Sequence, residues 1–107
     1  MNNLFLYTIL VVTSSKAAEV INYFKSTHSL DLVNSGFFEI SGPKIIQSPE
    51  DNSGNIELLI RFELKSLDAF MEYEKSDQKK AIGEKFVQEI GTLIVEKKYR
   101  GTFYSMI

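Results

Sequence analysis

Between Asn55 and Leu64 every second residue is apolar: Ile56, Leu58, Ile60, Phe62 and Leu64. Glu57, Leu59, Arg61 and Glu63 fill the positions between them. Side chains alternate across an extended chain, so this stretch makes a strand with one apolar face and one mostly polar face. The pattern predicts a central strand of a single sheet, with the rest of the chain arranged to cover its apolar side.

Leu4 to Val12, Leu-Phe-Leu-Tyr-Thr-Ile-Leu-Val-Val, is rich in β-branched and aromatic residues and almost continuously apolar. That suits a central strand buried on both faces. The run is too short to span a membrane. No basic residue precedes it in Met1-Asn2-Asn3, so a strand is favoured over a signal peptide. Thr13-Ser14-Ser15 supplies N-cap chemistry. Ala17, Val20, Ile21 and Phe24 then follow at helical spacing, which predicts a helix from about Lys16 to Thr27. His28 to Ser35 reads as a connection, punctuated by Gly36.

Phe37 to Gln47 reads as a second strand. Gly42-Pro43 lies inside it, and proline cannot donate to a ladder, so this strand is an edge or is bulged there. Ser48 to Gly54 is the clearest turn and joins it to the strand from Asn55 in a loose hairpin. Ser66 caps a second helix with Leu67, Phe70 and Met71 on its apolar stripe. Lys75-Ser76-Asp77 reads as a break or kink, after which Ile82, Phe86 and Ile90 carry the helix on, and Gly91 ends it as a C′ residue. Thr92 to Tyr104 is the last strand, with Gly101 read as a bulge.

The order is β-α-β-β-α-β over residues 1–107, a single α+β domain of ferredoxin-like pattern. It predicts a four-stranded antiparallel sheet with both helices on one face and right-handed crossovers. Helices cover only one side of such a sheet. If Leu4, Leu6, Leu10 and Val12 face them, Phe5, Tyr7, Ile9 and Val11 face outward; the opposite parity exposes Leu6 and Leu10. Either way a band of large apolar side chains meets water, and a contiguous patch of that kind marks an interface. A homodimer packed sheet against sheet about a two-fold axis follows, with space for a small cavity between the sheets.

Composition removes several function classes. The chain of 107 residues has 12 basic and 14 acidic residues, a net charge of −2, so it lacks the basic footprint that nucleic acid demands. Without cysteine it has no disulfide, thiolate metal site or cysteine nucleophile, and a cytoplasmic location is consistent with that. No Gly-rich phosphate loop, no paired histidines for a metal and no Ser-His-Asp spacing occur. Neither a cofactor nor a membrane partner is expected.

The segment His28-Ser-Leu-Asp-Leu-Val-Asn-Ser-Gly-Phe-Phe, the Arg61-Phe62 pair, Lys65-Ser66-Leu67 ahead of Tyr73, and the aromatic-Arg pair Tyr99-Arg100 resemble a small bacterial family. That family is a domain of unknown function within the dimeric α/β-barrel superfamily. A glutamine is common there where Arg61 stands here. The resemblance implies the fold and the dimer. It implies no particular activity, since the superfamily includes cofactor-independent monooxygenases, haem-degrading enzymes and plain ligand binders.

His28 is the only histidine, and so the one obvious proton shuttle near neutral pH. It reads either as a helix C-terminal residue meeting free carbonyls or as a base or haem ligand at a cavity mouth. Arg61 and Glu63 share a face with Leu59 and Glu57. They read as an ion-pair ladder, or Arg61 anchors a carboxylate ligand through its planar fork. Tyr7, Tyr99 and Tyr104 offer hydroxyls to a cavity or pack an interface, and Arg100 is open in the same way. Lys79-Lys80, Lys85 and Lys97-Lys98 alternate with Glu84, Glu89 and Glu96, which reads as a solvated face. The ligand-binding candidates are therefore Tyr7, His28, Leu59, Arg61, Glu63, Tyr99 and Arg100, and His28, Tyr7 and Arg61 are the catalytic ones. The expected function is binding of a small molecule by an uncharacterised homodimer. The alternative is a small cofactor-independent monooxygenase; a haem-degrading variant rests on one histidine and no tryptophan.

Overall fold

The computed structural model describes residues 3–106. Its elements are β1 (Leu4–Thr13), α1 (Ala17–Tyr23), α2 (Ser29–Asn34), β2 (Lys44–Gln47), β3 (Asn55–Leu64), α3 (Leu67–Lys75), α4 (Asp77–Ile90) and β4 (Ile94–Tyr104). The strands form one antiparallel sheet in the order β2-β3-β1-β4. This is the ferredoxin-like α+β arrangement that the element order predicts. No helix among the described residues is long and apolar enough to cross a membrane.

β3 alternates buried and half-buried along its whole length, with Ile56, Leu58, Ile60, Phe62 and Leu64 inward. β1 runs beside it in unbroken register from Leu4 opposite Leu64 to Thr13 opposite Asn55. That register settles the parity of β1: Leu4, Leu6, Leu10 and Val12 join Ile56 to Leu64 in the core, together with Val20, Leu32, Tyr73 and Ile82 from the helices. Phe5, Tyr7, Ile9 and Val11 take the other face.

The first helix is longer than its apolar stripe predicts. Residues 17–34 are helical throughout, because a wide π turn over Phe24–His28 joins α1 to α2. Val20, Phe24, His28 and Leu32 recur every four residues. In a 3.6-residue helix each such step drifts about 40° further round. The extra residue taken up by the wide turn returns them to one stripe. Gly36, at φ 90°, then ends the helix in the left-handed region where glycine is unstrained. At its start, Ser14–Lys16 form a 3-10 turn, and Thr13 makes no side-chain cap.

The other departures are local. The expected strand over Phe37 to Gln47 pairs only at its ends, through Lys44–Gln47 and a single bridge from Phe38 to Leu64. Between them Gly42-Pro43 breaks the ladder, and Ile40 is left in solvent. Phe38 is nonetheless core, its ring edge-on to Tyr73 at 5.0 Å. Asp51 closes the Ser48 to Gly54 turn, its carboxylate accepting from the backbone N–H groups of Ser53 and Asn55. Gly91 keeps a right-handed φ of −57° and leads into a 3-10 turn rather than ending α4 as a left-handed residue. Gly101 is no bulge but pairs regularly with Tyr7; the register slips instead at Lys98 and Val95. What Gly101 provides is room, since a Cβ there would overlap the Tyr99 phenol.

α3 and α4 meet at Ser76, where the expected break falls. Ser66 Oγ accepts from Ala69 N–H at 3.0 Å, and Ser76 Oγ accepts from Lys79 N–H at 3.1 Å. Each serine caps the helix that follows it.

Candidate functional site

β1 carries one polar residue on its core side. Thr8 interrupts the run Leu4, Leu6, Leu10 and Val12, and its partner across the ladder on β4 is Arg100. Apolar packing is therefore incomplete at the middle of the helix-facing side of the sheet. A cavity of about 140 Å³ lies there, between the sheet and the helices. Leu6, Thr8 and Leu10 of β1 and Phe62 of β3 floor it. His28, Tyr73 and Phe86 reach it from the helices, and Lys79, Lys97 and Arg100 complete its wall.

The π turn aims His28 into a ring of aromatic side chains. Its centroid lies 5.0 Å from Phe24, 5.7 Å from Phe62, and 6.0 Å from both Tyr23 and Phe86. Its Nδ1 is buried and has no hydrogen-bond partner among the described residues. Burial pushes the imidazole down to about 4; Arg100 and Lys85 act in the same direction, and the Asp31 carboxylate only partly opposes them. His28 is thus neutral at physiological pH, able to donate from one ring nitrogen and accept at the other. It sits in the middle of a continuous helical run, not at its C-terminus.

Tyr73 is buried, and burial is the main reason its phenol is pushed up to about 12; Glu74 adds to the rise and Arg100 opposes it. It stays a neutral hydroxyl. Beside it, Arg100 pairs with Glu74 of α3, which also takes Lys79 at 2.7 Å. Burial works to raise the Glu74 carboxyl, but hydrogen bonds from Lys79 and Arg100 outweigh it and hold the group below its ordinary value. Lys97 is an exposed residue whose ammonium is lowered first by partial desolvation against this wall and then by its like-charged neighbours Arg100 and Lys79. Three cations thus face one carboxylate at this wall.

Of the residues singled out from sequence, only His28 and Arg100 reach the cavity. Tyr7, Leu59, Arg61, Glu63 and Tyr99 lie on the opposite, open face of the sheet. There Arg61 stacks over Phe5 at 4.2 Å and donates a long 3.5 Å hydrogen bond to the Tyr7 hydroxyl. Its buried Nε has no partner among the described residues. Arg61 and Glu63 form no ladder. Glu57 pairs with Lys98 at 2.6 Å, and Glu63 accepts from Ser41. Tyr7 and Arg61 are therefore separated by the sheet from His28 and cannot act with it within one chain. The cavity described above lies under the helices, on the other side of the sheet. No cluster of three metal-ligating side chains occurs among the described residues.

No protein-family model matches the chain, and no curated protein matches it. Solved structures do. A candidate antibiotic biosynthesis monooxygenase from Bacillus cereus is 12% identical with a TM-score of 0.69, over 100% of this chain and 96% of that one. An ethyl tert-butyl ether D family protein from Bacillus halodurans is 16% identical at a TM-score of 0.63, over 97% and 99%. A dimeric ferredoxin-like protein from an uncultured marine organism is 11% identical at 0.57, over 100% and 92%. The chain has the same ferredoxin-like fold as these structures. At these identities the likeness concerns fold alone, and the family resemblance read from the sequence agrees with it.

Within that fold, sequence reasoning misses Thr8, Tyr73, Phe86, Lys79 and Lys97 as cavity residues. Thr8 carried a readable signal, a hydroxyl inside an apolar stripe. Lys79 and Lys97 carried none, because alternating charges look the same on any solvated face.

Proposed function

We propose that the chain is a single-domain, small-molecule-binding protein whose ligand site is the cavity beneath the helices, with His28 at its centre. The observation that carries this is the cavity itself, lined by Phe24, His28, Phe62 and Phe86 on one side and by Lys79, Lys97 and Arg100 on the other. Concave, mostly apolar spaces with a few convergent polar groups are where small molecules bind. Thr8 and Tyr73 hydroxyls and the Arg100 wall would orient the ligand. Thermal stabilisation by small ring compounds tests this: a ligand that binds only the native state raises the melting temperature with concentration. If no compound that fits the cavity stabilises the wild type more than His28→Ala, the reading is refuted.

The same reading includes a homodimer through the open sheet face. Phe5, Tyr7, Ile9, Leu59, Tyr99 and Phe103 share that face; Tyr99 and Phe103 are 42% and 51% exposed, more than packed core residues tolerate. The similar protein named as dimeric supports it. Sedimentation across a concentration series should give twice the 12.2 kDa chain mass. A monomer throughout would refute it.

A second reading is a small cofactor-independent monooxygenase. Burial holds the His28 imidazole near 4, too weak a base to deprotonate a phenol, so its part would be to accept a hydrogen bond from the substrate hydroxyl, and the substrate would lose its proton to solvent before oxygen attacks. Similar structures named as candidate antibiotic biosynthesis monooxygenases lend support. Oxygen uptake with a monocyclic hydroquinone, lost in His28→Ala, would establish it. Stabilisation by the same compound without uptake would leave the binding reading alone. A haem-degrading variant does not fit, because a space for about one six-membered ring does not admit a porphyrin.

A further inference from the structure

We infer that the cavity selects a single-ring aromatic carboxylate, its ring held among Phe24, His28, Phe62 and Phe86 and its acid group on Arg100 and Lys97. This rests on the cavity being the ligand site, and adds the chemistry of the ligand.

Size comes first. An apolar cavity of about 150 Å³ holds one benzene molecule. The 140 Å³ here is of that order, so it takes one ring and not a fused system. Shape and polarity come next. Phe62 stands on β3, Thr8 on the adjacent β1, and Arg100 and Lys97 on β4, the edge strand. Neighbouring strands are about 4.8 Å apart, so the aromatic wall and the cationic wall face each other across about 10 Å. Exposure follows the same axis. Phe24 and Phe62 are buried, Arg100 keeps a quarter of its side chain in solvent, and Lys97 is exposed. A ligand entering from the β4 edge therefore leads with its ring and leaves its charged end at the rim.

Charge decides the kind of end. Among the described residues Glu74 is the only carboxylate paired with these cations, and it is shared between Arg100 and Lys79. Lys97 makes no ion pair among the described residues. One more negative group would be balanced here. A guanidinium beside an ammonium suits a carboxylate, which takes two parallel hydrogen bonds from the planar fork. Glu74 occupies part of that fork, so an incoming carboxylate competes with it.

The test is a titration of the whole protein, followed by amide and side-chain resonances of the cavity residues. The probes are benzoate, benzyl alcohol, acetate and 2-naphthoate. Benzoate should shift His28, Thr8 and Phe86 and bind about tenfold more tightly than benzyl alcohol, the worth of one charge-assisted hydrogen bond. Acetate and 2-naphthoate should leave those resonances in place. Lys97→Met, at an exposed position that does not burden folding, should bring benzoate towards the affinity of benzyl alcohol. Glu74→Gln should tighten benzoate severalfold, since it removes the internal competitor, whereas a purely structural role for Glu74 would not improve binding. If benzyl alcohol matches benzoate while both shift the cavity, acid selection is overturned and the cavity remains the site. If no ring compound shifts the cavity residues, the site itself is overturned. If Glu74→Gln weakens benzoate, the competition at Arg100 is wrong.

Discussion

Replacing His28 with phenylalanine should make the protein less sensitive to acid. In the folded chain the imidazole is pushed down to about 4, chiefly by burial among Phe24, Phe62 and Phe86. In the unfolded chain it returns to about 6.5. Above pH 6.5 both states are neutral at this residue, and the stability it permits is fully present. As the pH falls below 6.5 the unfolded chain takes the proton and the folded chain does not, so folding loses free energy with each step. Near pH 4 the folded histidine protonates as well, and the loss levels off. A difference of about two and a half pKa units corresponds to about 3 kcal/mol. That is a large part of the roughly 5–15 kcal/mol that holds a domain of this size together. The carboxylates titrate in the same window, so the quantity to measure is a difference. Urea unfolding of wild type and His28→Phe should be compared at pH 7.5, 6.0, 5.0 and 4.0. The phenylalanine ring suits the aromatic cage, so the variant should fold. Its advantage over wild type should grow steadily from pH 6.5 down to 4 by about 3 kcal/mol. A direct titration of the imidazole by NMR should give a midpoint near 4. Parallel curves for the two proteins, or a midpoint near 6.5, would show that His28 is solvated and would refute its burial in the cavity.

Two further predictions concern the frame around the site. Ser76→Ala removes the acceptor that caps α4 at Lys79 N–H and should cost about 1 kcal/mol in denaturant unfolding, while Ser76→Asp should restore most of it. Ile9→Lys places a charge in the middle of the open sheet face; it should leave the monomer folded by circular dichroism and weaken self-association by at least about tenfold in sedimentation.

The alternation of Asn55 to Leu64 was sufficient to identify β3, since a period of two has one physical realisation. The doubly apolar run of Leu4 to Val12 likewise identified a strand with neighbours on both sides. Ser66 marked a helix start through hydrogen-bonding chemistry that acts within one turn, and Lys75-Ser76-Asp77 marked the break that follows it. These features are local, and one chain segment suffices to read them.

What lay beyond the sequence depended on contacts between distant segments. The parity of β1 follows from the register that sets Leu10 beside Leu58, and from that register follows which of Leu6 or Tyr7 meets the helices. The π turn at Phe24–His28 arises because Phe24, His28 and Leu32 must face the same sheet, although a regular helix would carry them apart. The cavity exists where Thr8 of β1 meets Arg100 of β4, ninety-two residues away in the chain. Sequence alone established a half-covered ferredoxin-like sheet, because periodicity and capping are properties of neighbouring residues. Only the tertiary structure showed a cavity beneath the helices and parted His28 and Arg100 from Tyr7 and Arg61, because the side of a sheet on which a residue stands is decided by the strands beside it.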